Sequence, residues 1–177
     1  MAIEGNADLS EWHRLPLEAF AENHGGRFDV VFSVYVLEHV ADPDAFVDAC
    51  AHVLRPGGSW FGLTLNTRQY FGAATWAMSR LHGADWLLHR LKGEALDHEH
   101  HFPTAYRLNS VPVLRRQCER SGFASLEVRC YDATERYQWY LPSSLHWFPP
   151  LYTRLAYALD RPELMGHLTF RAIKAGG

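Results

Sequence analysis

Apolar positions follow two rhythms along this chain, and each change of rhythm marks an element. Phe28 to Val36 (FDVVFSVYV) is a near-continuous run of β-branched and aromatic residues, the pattern of a parallel strand buried on both faces. Past Asp42-Pro43 the rhythm becomes helical, with Phe46, Val47, Cys50, Val53 and Leu54 on one face. Asp42 is placed as the N-cap and Pro43 at the first helical position. Pro56-Gly57-Gly58 stops that helix, and Trp60 to Leu65 is the next strand. Strand, helix and strand joined by short connections read as a βαβ unit.

The same reading covers the rest of the chain. Met1 to Asp8 is a short strand leading into a loop, and Trp12 to Glu22 is mixed. Tyr70 to Leu91 is helical and aromatic, and Leu96 to Arg107 is a histidine-rich loop. Ser110 to Arg120 is a helix closed by Gly122. Leu126 to Tyr131 is a strand, and Tyr137 to Pro150 is an aromatic loop. Leu151, Leu155 and Leu159 mark a short helix, and His167 to Lys174 a final strand. With no repeat and no linker, the chain reads as one α/β domain spanning residues 1–177.

Composition narrows the class. The chain has 177 residues, 47% hydrophobic and 21% charged, as in a soluble globular domain. The net charge is -3 and the basic residues are scattered, so the footprint of a nucleic-acid partner is missing. The longest apolar stretch, Val30 to Leu37, is too short to cross a bilayer. Met1 to Ser10 does not read as a leader segment. Cys50, Cys118 and Cys130 are odd in number and lack CxxC spacing, which fits buried thiols in a reducing compartment. A cytoplasmic protein without a membrane or nucleic-acid partner is expected.

In an open α/β sheet, ligands bind beyond the C-terminal ends of the parallel strands. Ser33, Tyr35 and Asn66 are the polar groups best placed for that position. Glu38 and His39 lie just past the first strand end. His39 is a candidate general base near neutral pH, and the alternative is that the pair packs the turn into the next helix. Asp97-His98-Glu99-His100-His101 offers common zinc ligands, but its spacing fits neither HExxH nor a zinc finger. A polar loop over the mouth of the site, with His101 turned inward, is the competing reading, and no metal is required. His101 and Tyr106 are candidate substrate contacts. Tyr70, Phe71, Trp76, Met78, Trp86 and Leu87 line either an acceptor pocket or the core.

The strings Phe28-Asp29-Val30-Val31-Phe32-Ser33, Leu37-Glu38-His39-Val40 and Leu54-Arg55-Pro56-Gly57-Gly58 resemble the class I S-adenosylmethionine-dependent methyltransferases. In that family they cover the fourth strand, the next helix and the turn before the fifth strand. His101-Phe102-Pro103-Thr104, Leu108-Asn109-Ser110 and Ser121-Gly122-Phe123 resemble the stretch before the sixth strand. The resemblance is strong for Phe28 to Asn66 and looser beyond. It implies an α/β, Rossmann-like methyltransferase sheet ending in a C-terminal antiparallel hairpin, S-adenosylmethionine as cofactor and a small-molecule acceptor. It places the methionine part of the cofactor beside Ser33, Val34 and Tyr35, and the adenine near Asn6, Ala7 and Asp8.

The family's glycine-rich cofactor loop does not occur in the sequence. Gly25-Gly26, Gly57-Gly58 and Gly176-Gly177 are doublets with no partner at the required spacing. The acidic residue ending the second strand is also missing. The expectation is an incomplete sheet, truncated at its N-terminal side and lacking its first two strands. Each hydrogen bond to a charged group contributes roughly 1.5–3 kcal/mol, so losing two or three weakens binding by about three orders of magnitude or more. The resemblance puts the fourth strand beside the first. Without that neighbour Phe28 to Val36 becomes an apolar edge that invites a homodimer, a partner chain or aggregation. The rival to a methyltransferase is a non-catalytic binding or scaffold protein that completes its sheet with a partner.

Overall fold

The computed structural model describes residues 8–70, 72–73, 104–132, 141 and 143–177. In chain order these residues form α1 (Leu17–Ala21), β1 (Phe28–Val34), α2 (Pro43–Val53), β2 (Leu54–Leu65), α3 (Val111–Arg120), β3 (Phe123–Tyr131), α4 (Phe148–Ala158) and β4 (His167–Lys174). The four strands make one sheet in the order β1-β2-β4-β3. β1 and β2 run parallel, and β4 is antiparallel to both β2 and β3. This is a mixed α/β sheet with a closing antiparallel pair.

α2 forms where its pattern says it should. Asp42 Oδ1 accepts from the Asp44 and Ala45 amides at 3.0 and 3.1 Å, and Pro43 opens the helix. Its buried face carries Phe46, Val47, Cys50 and Val53. The helix ends at Val53, before Pro56, because the backbone is already extended at Leu54. Lys174 Nζ donates to the Leu54 carbonyl at 2.6 Å, placing a cation at the helix C-terminus.

The stretch expected only to stop the helix is instead the first part of β2. Phe28 pairs with Leu54 and Val30 with Ser59, so Asp29 alone faces Arg55 to Gly58. Gly57 takes a positive φ of 76° in this bulge. A side chain at Gly58 would meet the Asp29 and Arg55 carbonyls at 3.1 and 2.9 Å.

Paired residues share a sheet face, which separates two surfaces. One face carries Val31, Trp60, Phe170, Ala172, Leu126 and Val128. It packs with Leu37, Phe46, Val47, Cys50, Leu108, Leu114 and Cys118 in the main core. Trp60 is its centre, edge-on to Phe170 at 4.8 Å. Each fully buried leucine here contributes about 1.5–3 kcal/mol. Gly62 lies under the Phe170 ring, where a Cβ would come within 2.1 Å of it.

The other face differs from the expected strand buried on both sides. Val30, Phe32, Val34 and Val36 are exposed, Phe32 at 74%. The core helices lie against the opposite face, and among the described residues β1 pairs with β2 alone. Phe32 stacks on Phe61 at 5.4 Å, so the exposed strip extends onto β2.

The final strand runs His167–Lys174 as read, and α3 starts after Ser110 and ends before Gly122, whose φ is 82°. β3 begins three residues before the expected Leu126. In α4 the buried residues are Pro149 and Ala156, whereas Leu151, Leu155 and Leu159 face outward. Most of the expected Tyr70–Leu91 helix, the histidine-rich loop up to Pro103 and the Met1–Ala7 strand lie outside the described residues.

Candidate functional site

The C-terminal ends of β1 and β2 converge on one buried carboxylate. Glu38, 3% exposed, sits in the turn after β1. Its Oε1 accepts from Thr64 Oγ1 at 2.8 Å and from the Leu65 amide at 2.9 Å. Its carbonyl accepts from the Ala105 and Tyr106 amides at 2.7 and 3.0 Å. Asn109 Nδ2 donates to Thr64 Oγ1 at 2.6 Å and to the Leu65 carbonyl at 3.1 Å. The Asn109 carbonyl in turn accepts from the Thr67 amide and hydroxyl at 2.8 and 2.9 Å. Three segments distant in sequence are thereby fixed at one end of the sheet. Glu38 Oε2 and Asn109 Oδ1 are buried without a hydrogen-bond partner among the described residues. Buried acceptors in that condition are uncommon and call for a reason.

Two residues beside this node take the left-handed conformation that side chains disfavour. Tyr35 has φ 53° and Tyr106 has φ 50°. Such strain persists only where the surroundings fix it, and it clusters at functional sites. The Tyr35 amide donates to the Leu63 carbonyl at 2.8 Å. The Tyr35 ring meets the edge of His167 at 6.3 Å, and His167 stacks on Tyr131 at 5.1 Å. A row of rings therefore crosses one end of the sheet, from the turn after β1 to β3.

The sequence-derived candidates fall out as follows. Tyr106 meets Glu38 through its amide, His39 follows Glu38 in the chain and is exposed, and Tyr35 stands three positions before Glu38 with its amide on the Leu63 carbonyl. Ser33 is buried, and its hydroxyl accepts from Trp60 Nε1 at 3.0 Å. Val34 is exposed on the opposite face, and Asp8 is exposed. Asn66 is committed internally. Its Nδ2 donates to the Glu163 and Met165 carbonyls at 2.7 Å each, and its Oδ1 accepts from the Arg68 amide. Asn6, Ala7 and His101 lie outside the described residues, as do Phe71, Trp76, Met78, Trp86 and Leu87.

Sequence reasoning missed His167 as a rim residue, and it saw Glu38 only as the neighbour of His39. Polar residues at the ends of apolar strands, Thr64 and His167, were the available signal.

Farther along the rim, Tyr70 packs edge-on against Phe148 and Tyr152 at 5.0 and 4.9 Å. Burial, helped by the nearby Asp132 charge, pushes the Tyr70 phenol up to about 12 and raises Tyr152 as well. Asp132 Oδ2 accepts from Thr153 Oγ1 at 2.5 Å. Burial also raises all three thiols, Cys118 to about 12, which makes them poor nucleophiles. Among the described residues no group of three or more His, Cys, Asp or Glu could hold a metal ion. No described helix is long and apolar enough to cross a membrane. An open depression of about 330 Å³ lined by Trp12, His13, Phe20 and Phe28 lies at the opposite, N-terminal end of β1. There Glu11 is held by Arg27 at 2.6 Å.

Comparison with known proteins gives the chain a family. Residues 3–128 match the family model described as a methyltransferase domain. A protein of Aromatoleum aromaticum named ubiquinone biosynthesis O-methyltransferase is 33% identical over 118 residues, covering 67% of this chain and 45% of that protein. The Escherichia coli protein of the same name is 38% identical over 87 residues, covering 49% of this chain and 34% of its own length. The chain thus spans less than half the length of these relatives. The crystal structure of a SAM-dependent methyltransferase from Archaeoglobus fulgidus superposes with a TM-score of 0.56 at 11% identity, over 90% of this chain and 66% of that one. That superposition shows a shared fold, and the family match extends over most of this chain's length. This chain belongs to the methyltransferase domain family.

Proposed function

We propose that this chain serves S-adenosylmethionine-dependent methyl transfer to a small-molecule acceptor in the cytoplasm. The observation that carries the reading is the node in which Glu38 joins Thr64, Leu65 and the Ala105-Tyr106 turn beyond β1 and β2, in a chain that matches a methyltransferase domain. Oxygen is the favoured acceptor atom, because the relatives are named O-methyltransferases. We read the chain as a single methyltransferase-like domain without a glycine-rich cofactor loop, which by itself binds the cofactor weakly or not at all and is weak or inactive.

The residues fit the cofactor at its methionine end. Glu38 Oε2 is a buried carboxylate oxygen without a donor among the described residues, in the turn past the strand end that would meet a cationic ligand. The cofactor, when bound, supplies an activated methyl group. The chain's own residues orient and exclude water: Tyr35 and Tyr106, fixed through the Glu38 turn, shape the mouth. Positioning of this kind is a large part of what a transfer reaction needs. His39, exposed at the same turn, is the candidate base for the acceptor proton, with Tyr106 and His101 as candidate acceptor contacts. Ser33, Val34 and Tyr35 on one side and Asn6, Ala7 and Asp8 on the other remain the proposed cofactor contacts.

A second reading is favoured by the exposed strip Val30, Phe32, Val34 and Val36. On it the chain is a binding or scaffold protein that adds a partner strand at β1, or a second copy of itself, and carries no chemistry.

One titration separates the two. S-adenosylmethionine and S-adenosylhomocysteine are titrated into this chain, followed by calorimetry and by ligand-observed NMR, which reads dissociation constants into the millimolar range. Weak, saturable binding of both supports the methyltransferase reading. No binding of either at millimolar concentration favours the scaffold reading for this chain.

A further inference from the structure

The buried Glu38 carboxylate is bonded on one side only. Oε1 accepts from two donors, the Thr64 hydroxyl and the Leu65 amide, and Oε2 accepts from none among the described residues. A charge in that state is incompletely compensated, and in a buried setting its field is screened far less than at the surface. No cation balances it in place: no described ion pair includes Glu38. The hydrogen bonds of the node keep it from turning out to solvent, since its carbonyl holds Ala105 and Tyr106 while Oε1 holds β2.

The two forms of the cofactor differ by one charge. S-adenosylmethionine carries a positive sulfonium, whereas its demethylated product carries a neutral thioether. We infer that Glu38 discriminates between them: its half-bonded buried carboxylate makes the site prefer the charged methyl donor over the neutral product. The inference rests on the proposed methyltransferase reading, in which the methionine part lies beside Tyr35. Tyr35 and Glu38 are three positions apart in the chain, so their Cα atoms lie within about 10 Å of each other. A unit charge at about 12 Å, under an effective dielectric of about 20, changes a binding constant about tenfold. Glu38 is thus a specificity-determining residue, and its function is to favour release of the spent cofactor.

A purely structural Glu38 would weaken both ligands together, so the ratio of their dissociation constants is the readout. Both ligands are titrated by ligand-observed NMR into this chain and into Glu38→Gln. Glutamine keeps an oxygen for Thr64 and Leu65 and removes the charge. The expected result is a fall of about tenfold in the preference for S-adenosylmethionine. A ratio within threefold of the starting value, with or without a common loss of affinity, overturns the assignment.

Thr64→Val serves as the second variant, also where Glu38→Gln fails to fold. It takes a donor from the ionised carboxylate and so favours the neutral form; the preference for S-adenosylmethionine should fall with it or stay, and a rise of about tenfold overturns the assignment. If neither ligand binds the unaltered chain, its reading as a cofactor-binding chain fails and takes this assignment with it. A measurable pair of affinities with an unchanged ratio removes the assignment alone.

Discussion

Gly62 illustrates how single positions set this sheet. Its missing side chain makes room for the Phe170 ring, which then reaches Trp60. Gly62→Ala should destabilise the fold by about 2 kcal/mol through overpacking, a fall of about 4–8 °C in Tm readable by calorimetry. An unchanged Tm would mean that Phe170 has another rotamer available. Nothing near Gly62 in the sequence announces this, because its neighbour Phe170 arrives from the last strand. The same limit hid the part played by Glu38. Its hydrogen-bond partner Thr64 is 26 positions away, and the turn it holds is Ala105-Tyr106. Its own stretch, Leu37-Glu38-His39-Val40, marked the place but not the geometry. Ser33 was legible as a residue at a strand end. Its hydrogen bond to Trp60 was not, since the parallel register that aligns the two strands is set by packing.

Among the elements, α2 and β4 were the most legible. α2 has an apolar stripe, an aspartate cap and a proline at its start, and β4 is bounded as read. β2 was harder. Its opening residues carry a proline and two glycines, and only pairing to Phe28 makes them strand. α4 forms where Leu151, Leu155 and Leu159 mark a helix, but these leucines face outward and the small Pro149 and Ala156 are its buried residues. The connection into β4 depends on Asn66, which stands at the end of β2 and holds the Glu163 and Met165 carbonyls. Asn66→Ala leaves both without that donor. It should cost about 2–4 kcal/mol, seen in urea denaturation as a lower midpoint at unchanged slope. A midpoint that does not move would show that water replaces the amide there.

For the molecule as a whole, the unequal faces of the sheet matter most. One face is closed by the core helices, and on the other an apolar strip runs from β1 onto Phe61. The apolar run that forms it was plain in the sequence, but which side lay open depends on which elements pack against it. Such a strip favours association. Light scattering after size-exclusion chromatography should give a mass that rises with concentration. Phe32→Lys should return it to the monomer value without lowering Tm, because Phe32 is 74% exposed. A clean monomer before the substitution would remove the case for a partner at β1.

The strand order also has a bearing on how the chain is made. β4 lies between β2 and β3 but follows both in sequence. Among the described strands β3 pairs with β4 alone, so during synthesis it waits for its neighbour until His167–Lys174 has emerged from the ribosome. Until then β2 also keeps an unpaired flank. Among the described strands, the eight residues of β4 therefore close the open flank of β2 and pair β3 in one step.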